Sequence, residues 1–260
     1  MKRREFMAAS CLAGLAPLGG MALAQDAGGA KKKEYYELRL YELESAAKQK
    51  AFVEFLGKAA IPAMNRLEIG PVGAFTMMED DSPNLYVLLP HKSVESAATA
   101  NRRLMADAEF LKAGAAVLDA PKPDPAYLRV ESSLLVAFDG FPKLEVPSKK
   151  ASRVFQLRIY ESRNAERAIK KVAMFNEGGE IEIFRRTGLP PVFFGEALLG
   201  TRLPNLTYML GFDDLEAKEA GWAKFLADPA WTKLKNDPQY KDTVSNVTNI
   251  MLRPAACSQI

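Results

Sequence analysis

The chain repeats itself. Tyr36-Glu-Leu-Arg-Leu-Tyr41 returns as Phe155-Gln-Leu-Arg-Ile-Tyr160, 119 residues further on. Pro83-Asn84-Leu85 returns as Pro204-Asn205-Leu206, and Ala106-Asp107-Ala108-Glu109-Phe110 as Ala227-Asp228-Pro229-Ala230-Trp231, both at an offset of 121. Gly70, in Gly-Pro-Val-Gly-Ala-Phe75, matches Gly188, in Gly-Leu-Pro-Pro-Val-Phe-Phe194. Landmarks kept in one order at a near-constant spacing describe two diverged copies of one structural unit. Whatever one copy folds into, the other must fold into as well. Residues 34–138 and 153–256 are the expected modules, and the Pro- and Lys-bearing stretch 139–152 is the expected linker.

Each copy has the same coarse order of elements. A strand is expected at 35–41, then a helix from about 46 with apolar Phe52, Leu56, Ala59, Ala60 and Leu67 at helical spacing. Pro62 breaks the first copy where Gly178-Gly179 breaks the second, so a bend or a second short helix is expected there. Strands follow at 72–79 and 84–89 around the turn-forming Glu79-Asp-Asp-Ser-Pro83. A second helix starts near Ser93, its counterpart opening at Asp213 with Glu216 three residues on. A last strand covers 127–138, and 244–252 in the second copy. This is βαββαβ, the ferredoxin-like unit of an α+β protein.

Alternation in the first strand puts Tyr36, Leu38 and Leu40 on one sheet face and Glu37, Arg39 and Tyr41 on the other. The second copy sets Phe155, Leu157 and Ile159 against Gln156, Arg158 and Tyr160. Helices cover only one face of such a sheet, and other strands are apolar on both faces. The two sheets are therefore expected to pack open face to open face as a barrel within one chain. With the apolar face of the first strand assigned to the helices, Arg39, Tyr41, Arg158 and Tyr160 fall in a partly polar lumen. Two readings of them stand. They are structural, the arginines paired to carboxylates, or they line a pocket where a ligand carboxylate or enolate is their partner.

Residues 1–24 read as an export signal. Lys2, Arg3 and Arg4 with Glu5, Phe6 and Met7 form a twin-arginine pattern, and Ala22-Leu23-Ala24 is a small-x-small cleavage pattern. Gly14, Pro17, Gly19 and Gly20 interrupt the apolar stretch, which falls short of the ~20 residues that span a bilayer. The expected destination is the periplasm or another exported location, with cleavage after about Ala24 and residues 25–33 as a flexible lead-in. Without Lys2, Arg3, Arg4 and Glu5, the 35 basic and 32 acidic side chains become 32 and 31. That balance gives no footprint for nucleic acid, and no membrane span is expected in the mature chain. Cys257 is then the one cysteine left, so packing rather than a disulfide must hold the fold. A small-molecule ligand is the expected partner, and a homo-oligomer is compatible with the sequence.

His91, the chain's single histidine, is expected in a loop; base and haem-ligand roles are open to it. One His and one Cys make no zinc site, so no metal and no cofactor are expected, haem being left open. No Walker loop, Gly-x-Gly-x-x-Gly after a strand, or Gly-x-Ser-x-Gly elbow is present.

The Glu-Leu-Arg-x-Tyr opening, the Gly-x-x-Val-Gly-x-Phe strand, the run Phe184-Arg-Arg-x-Gly-x-x-Pro-Val-Phe-Phe-Gly195 and Pro204-Asn-Leu-Thr-Tyr-Met-Leu210 resemble the NIPSNAP family over residues 34–256. The resemblance implies a dimeric α/β-barrel fold, built here from one chain. It implies no settled activity and no agreed catalytic residues. The wider superfamily it points to includes haem-binding proteins and small cofactor-free monooxygenases, so an oxygenase-like binder and a packed, non-catalytic interaction protein are both carried forward.

Overall fold

The structure is a computed structural model and describes residues 32–78 and 82–260. The twin-arginine leader, nearly all of the 25–33 lead-in and residues 79–81 of the expected turn lie outside the described residues. The first module runs β1 (Tyr35–Glu42), α1 (Ala46–Phe55), α2 (Ile61–Arg66), β2 (Gly73–Met77), β3 (Leu85–His91), α3 (Val94–Leu104), α4 (Ala108–Leu118), β4 (Arg129–Ala137). The second runs β5 (Val154–Glu161), α5 (Ala165–Asn176), α6 (Glu180–Thr187), β6 (Pro191–Leu199), β7 (Asn205–Phe212), α7 (Leu215–Ala227), α8 (Pro229–Lys235), β8 (Asn246–Pro254).

The eight strands close into one antiparallel barrel in the order β1-β3-β2-β8-β5-β7-β6-β4. Each module contributes a four-stranded sheet, β4-β1-β3-β2 or β8-β5-β7-β6. The seams are β2–β8 and β4–β6. These are tandem ferredoxin-like repeats forming a dimeric α/β barrel inside one chain.

The lumen overturns the expected face assignment. Tyr36, Leu38, Phe155 and Leu157 point into the barrel, with Phe75, Leu88, Val192, Phe193, Met209 and Leu252. Rings from the two modules meet there: Tyr36 lies 5.0 Å from Phe193, and Phe75 lies 4.9 Å from Phe155. An eight-stranded barrel is just wide enough for side chains to fill, and this one is filled with apolar ones. Arg39, Tyr41, Arg158 and Tyr160 therefore face outward, under the helices. The physical reason is that a closed barrel covered by helices buries both faces of every sheet. The apolar alternate of β1 could belong to either layer.

One end of the barrel is sealed. Leu144 and Val146, after β4, and Ile260, after β8, pack against the lumen core. Glu145 N–H donates to the Val192 carbonyl at 2.9 Å, and Gln259 pairs with Val72 through both its backbone and its side chain.

Outside the barrel, the helices start on side-chain caps: Ser45 and Asn164 open α1 and α5, Ser93 and Asp214 open α3 and α7. Asp214, not Asp213, is the cap; Asp213 accepts instead from Ser148 and Lys150. The expected second helix is two helices in each copy. Asp107 and Asp228 cap the new start, and each also accepts two hydrogen bonds from a matching arginine, Arg66 or Arg186. The break at Pro62 is absorbed rather than sharp. Between α1 and α2 the helix widens to a π turn over Leu56–Ala60, ending with Ile61 N–H bonded to the Leu56 carbonyl. Such widened turns are rare and recur at functional sites.

Candidate functional site

A cavity of about 330 Å³ lies between the first module's sheet and its helices. Its walls are apolar, with the rings of Phe52, Phe55, Phe110 and Tyr127 set among aliphatic side chains and methionines. The π turn contributes Leu56 and Ala60. Met105, Tyr127 and Val130 are exposed at its rim. On the sheet side a compact polar floor interrupts this surface: Glu37, Arg39, Tyr41, Asn101 and Ser132.

Alternation on β1 builds the floor, because residues 37, 39 and 41 share one face. Arg39 grips the Glu37 carboxylate with two parallel bonds, Nε to Oε1 at 2.7 Å and Nη2 to Oε2 at 2.8 Å. This fork is the strong geometry for a guanidinium. Arg39 Nη1 donates to the Tyr41 hydroxyl at 3.2 Å, and Nη2 also donates to Asn101 Oδ1 at 3.2 Å. Ser132 Oγ donates to Glu37 Oε1 at 2.8 Å from the neighbouring strand. Of five guanidinium N–H groups these bonds engage four, so one on Nη1 remains for a visitor. Tyr41, already accepting, keeps its own proton to donate.

His91 completes the cluster from behind. It is the last residue of β3, not a loop residue, and is buried. Its Nδ1 meets Ser96 Oγ at 3.1 Å, and its Nε2 stands 3.6 Å from Glu37 Oε2. It does not line the cavity. Among the described residues no group of three or more His, Cys, Asp or Glu could hold a metal.

Burial pushes the Glu37 carboxyl up, but its donors outweigh that and hold it at about 2, below its ordinary 4.5. The His91 contact at 3.6 Å is longer than a hydrogen bond, so we ascribe the lowering chiefly to the Arg39 fork. A carboxyl depressed on folding stabilises the fold above its unfolded value and loses that contribution as pH falls towards the folded one. Between pH of about 4.5 and about 2 the fold should lose about 3 kcal/mol through this one group. Thermal melts across that range check it. Glu37→Gln should start less stable at neutral pH and fall less on acidification; curves parallel to wild type would contradict the assignment.

The second copy shows what a filled version looks like. Strand register equates Arg39 with Arg158, Val87 with Tyr208 and Ser132 with Asn249. The helix caps equate Asn101 with Trp222 and Leu56 with Phe175. There the larger side chains close the space. Trp222 Nε1 donates to Gln156 at 2.7 Å, Tyr160 and Tyr208 hydroxyls meet at 2.9 Å, and Arg158 lies 4.9 Å from the Trp222 ring. Arg158 has no carboxylate fork, and its buried Nε has no hydrogen-bond partner. The structure thus brings Arg39 and Tyr41 together at a cavity and Arg158 and Tyr160 together in a packed core. It does not bring the two arginines together. Sequence reasoning missed Glu37, Asn101 and Ser132. The signal for Glu37 was present, two residues before Arg39 on the same strand face.

No helix of the described residues is long and apolar enough to cross a membrane. Similar folds occur in a candidate monooxygenase of Fusobacterium nucleatum, at 8% identity and a TM-score of 0.56, covering 86% of this chain and 94% of that one. A candidate monooxygenase of Lactobacillus acidophilus matches with the same values. An anthrone oxidase-like protein matches at 12% identity and a TM-score of 0.51, covering 87% of this chain and 95% of that one. No curated protein matches the chain. The NIPSNAP sequence profile matches residues 36–138 and 155–259, one match for each half of the barrel. The chain belongs to the NIPSNAP family.

Proposed function

We propose that the first module binds a small, largely apolar molecule in the cavity under its helices, with one oxygen of the ligand held by Arg39 and Tyr41. The carrying observation is the contrast between copies: one fold built twice, filled by Trp222, Tyr208 and Phe175 in one module and left hollow in the other. A mostly apolar pocket with a few convergent polar groups is the common form of a small-molecule site. Walls of Phe52, Phe55, Phe110 and Tyr127 favour a ring system, and the free donors at the floor favour a carbonyl or phenolic oxygen. The names of the fold neighbours, an oxidase-like protein and candidate monooxygenases, suit a substrate of that kind. The reading is one of binding first. Glu37 is committed to Arg39 and Ser132 and held ionised, so it orients the arginine and is not a base waiting for a substrate proton.

Titration with a fluorescent naphthyl ketone tests this. Wild type should bind one equivalent. Ala60→Phe, which fills the cavity from the π turn, should weaken binding by roughly tenfold or more, the scale of one lost apolar contact set. Unchanged binding by a folded Ala60→Phe protein would place the probe elsewhere.

We further propose that the protein acts outside the cytoplasm, delivered by its twin-arginine leader. The motif Arg3-Arg4-x-Phe6-Met7 supports this. Replacing Arg3 and Arg4 with lysines keeps the charge and removes the motif. Precursor should then accumulate in the cytoplasm; normal export of the variant would contradict the route.

A further inference from the structure

The barrel is not sealed equally along its seams. β4 pairs with β1 along its whole length, from Arg129 to Val136, but with β6 only from Leu134 to Ala137. At Gly200, with φ +139, the chain leaves β6, and the glycine sits so close to Ser133 that a side chain there would collide with it. Residues Arg129–Ser132 therefore have a partner on one side only. Unpaired strand edges are templates for another strand, and soluble proteins usually cover them.

Which groups face outward follows from two bonds. Ala137 N–H donates to Glu34 on the β1 side, and Phe138 N–H donates to Phe194 on the β6 side. Alternation then turns the N–H and C=O of Val130 and Ser132 away from β1. Around this edge lies an apolar patch: Leu128 is 54% exposed, Val130 43%, Leu199 65% and Leu198 42%.

We infer that this edge pairs with the same edge of a second copy of the chain, β4 antiparallel to β4. The charges on the edge select both partner and register. Centred on Val130, the two Val130 residues exchange N–H and C=O, while Leu128, opposite the partner's Ser132, keeps its own N–H on the Glu42 carbonyl of β1 at 2.8 Å. Each Arg129 then stands opposite the partner's Glu131, twice over by symmetry. Shifting the centre to residue 131 or 129 sets glutamate against glutamate or arginine against arginine. Opposite charges directly across a strand pair stabilise it and like charges oppose it. The register that sets Arg129 against Glu131 is self-complementary, as a two-fold interface must be. It has a consequence for the cavity. Val130 and Ser132 line the cavity and are exposed, so the partner's Leu128 and Val130 would wall its open side. The inference rests on the strand edge and stands apart from the ligand reading.

Sedimentation equilibrium on the protein purified from its own source, with variants made in the same host, tests it. Wild type should be a dimer. Glu131→Arg and Arg129→Glu should each raise the dissociation constant roughly tenfold or more, by turning two attractions into repulsions. The swap Arg129→Glu with Glu131→Arg should restore the dimer. Val130→Pro removes the outward N–H without touching the β1 ladder, so it should give a folded monomer. A wild-type protein that stays monomeric at high micromolar concentration would overturn the inference. So would a dimer indifferent to the single reversals, or one the swap fails to rescue. Probe binding measured alongside separates the two proposals: a monomer that binds the naphthyl ketone defeats the interface alone.

Discussion

Arg39→Gln should melt far below wild type while Arg158→Gln stays close to it. The two arginines occupy the same position in the duplicated strand, yet their surroundings differ. The Arg39 side chain is 8% exposed and the Glu37 side chain 12%, and the fork between them is the main compensation for burying either charge. Removing Arg39 leaves the Glu37 carboxylate buried beside Ser132 and His91. Breaking one side of a buried pair typically costs 3–5 kcal/mol, here roughly 10 °C in melting temperature for a fold of this size. Arg158 has no such fork; Glu180, whose charge acts on it, is bonded to Lys171. Its loss removes ring contacts with Trp222 and Tyr160 and relieves an unpartnered Nε, for a net change of about 1 kcal/mol. Differential scanning calorimetry of the two variants decides it. Equal losses would mean that the copies are supported alike.

Lys171→Met should be as damaging as Arg39→Gln, and Lys171→Phe with Glu180→Ile should not. Lys171 and Glu180 form a bond of 2.9 Å with side chains 5% and 2% exposed. Burial raises the Glu180 carboxyl above its ordinary range, only partly offset by the Lys171 ammonium. Taking away Lys171 strands that carboxyl in the aromatic core, again at roughly 3–5 kcal/mol. In the first module the position of Lys171 is held by Phe52, at an offset of 119, and that of Glu180 by apolar Ala60, at the offset of 120 that matches Arg66 to Arg186. Apolar replacement of a whole buried pair is often neutral or stabilising by about 1–4 kcal/mol. The double variant should therefore melt at or above wild type in denaturant and heat. A double variant worse than the single one would show that the pair holds the second core in a way that packing cannot replace.

The fold was legible because the sequence contains it twice. A strand read ambiguously in one copy is confirmed by its counterpart, and the expected strands fall within a few residues of β1 to β8. What escaped was the side each face is on. Tyr36, Leu38 and Leu40 look like a helix-facing row, but the opposite row is also buried, made tolerable by the pairing of Glu37 with Arg39. Polar side chains in a neutralised fork do not announce exposure. The division of the second helices at Asp107 and Asp228 escaped too, since apolar spacing continues across both caps. The cavity itself was beyond reach. It exists because Val87, Asn101 and Leu56 are smaller than Tyr208, Trp222 and Phe175. Those pairs can be matched only once strand register and helix caps align the copies.

The most direct test maps where an apolar ligand lands. A diazirine-bearing naphthyl ketone, cross-linked by light and located by mass spectrometry, reports the side chains within contact. The predicted labels lie on the first module's helix side, in the segments of α1–α2, α3–α4 and the start of β4. Phe55, Met64, Leu104 and Tyr127 head them. Ala60→Phe should erase them. Labels on Leu157, Met209 or other side chains of the barrel lumen, or concentrated around Trp222 in the second module, would contradict a ligand site in the hollow copy.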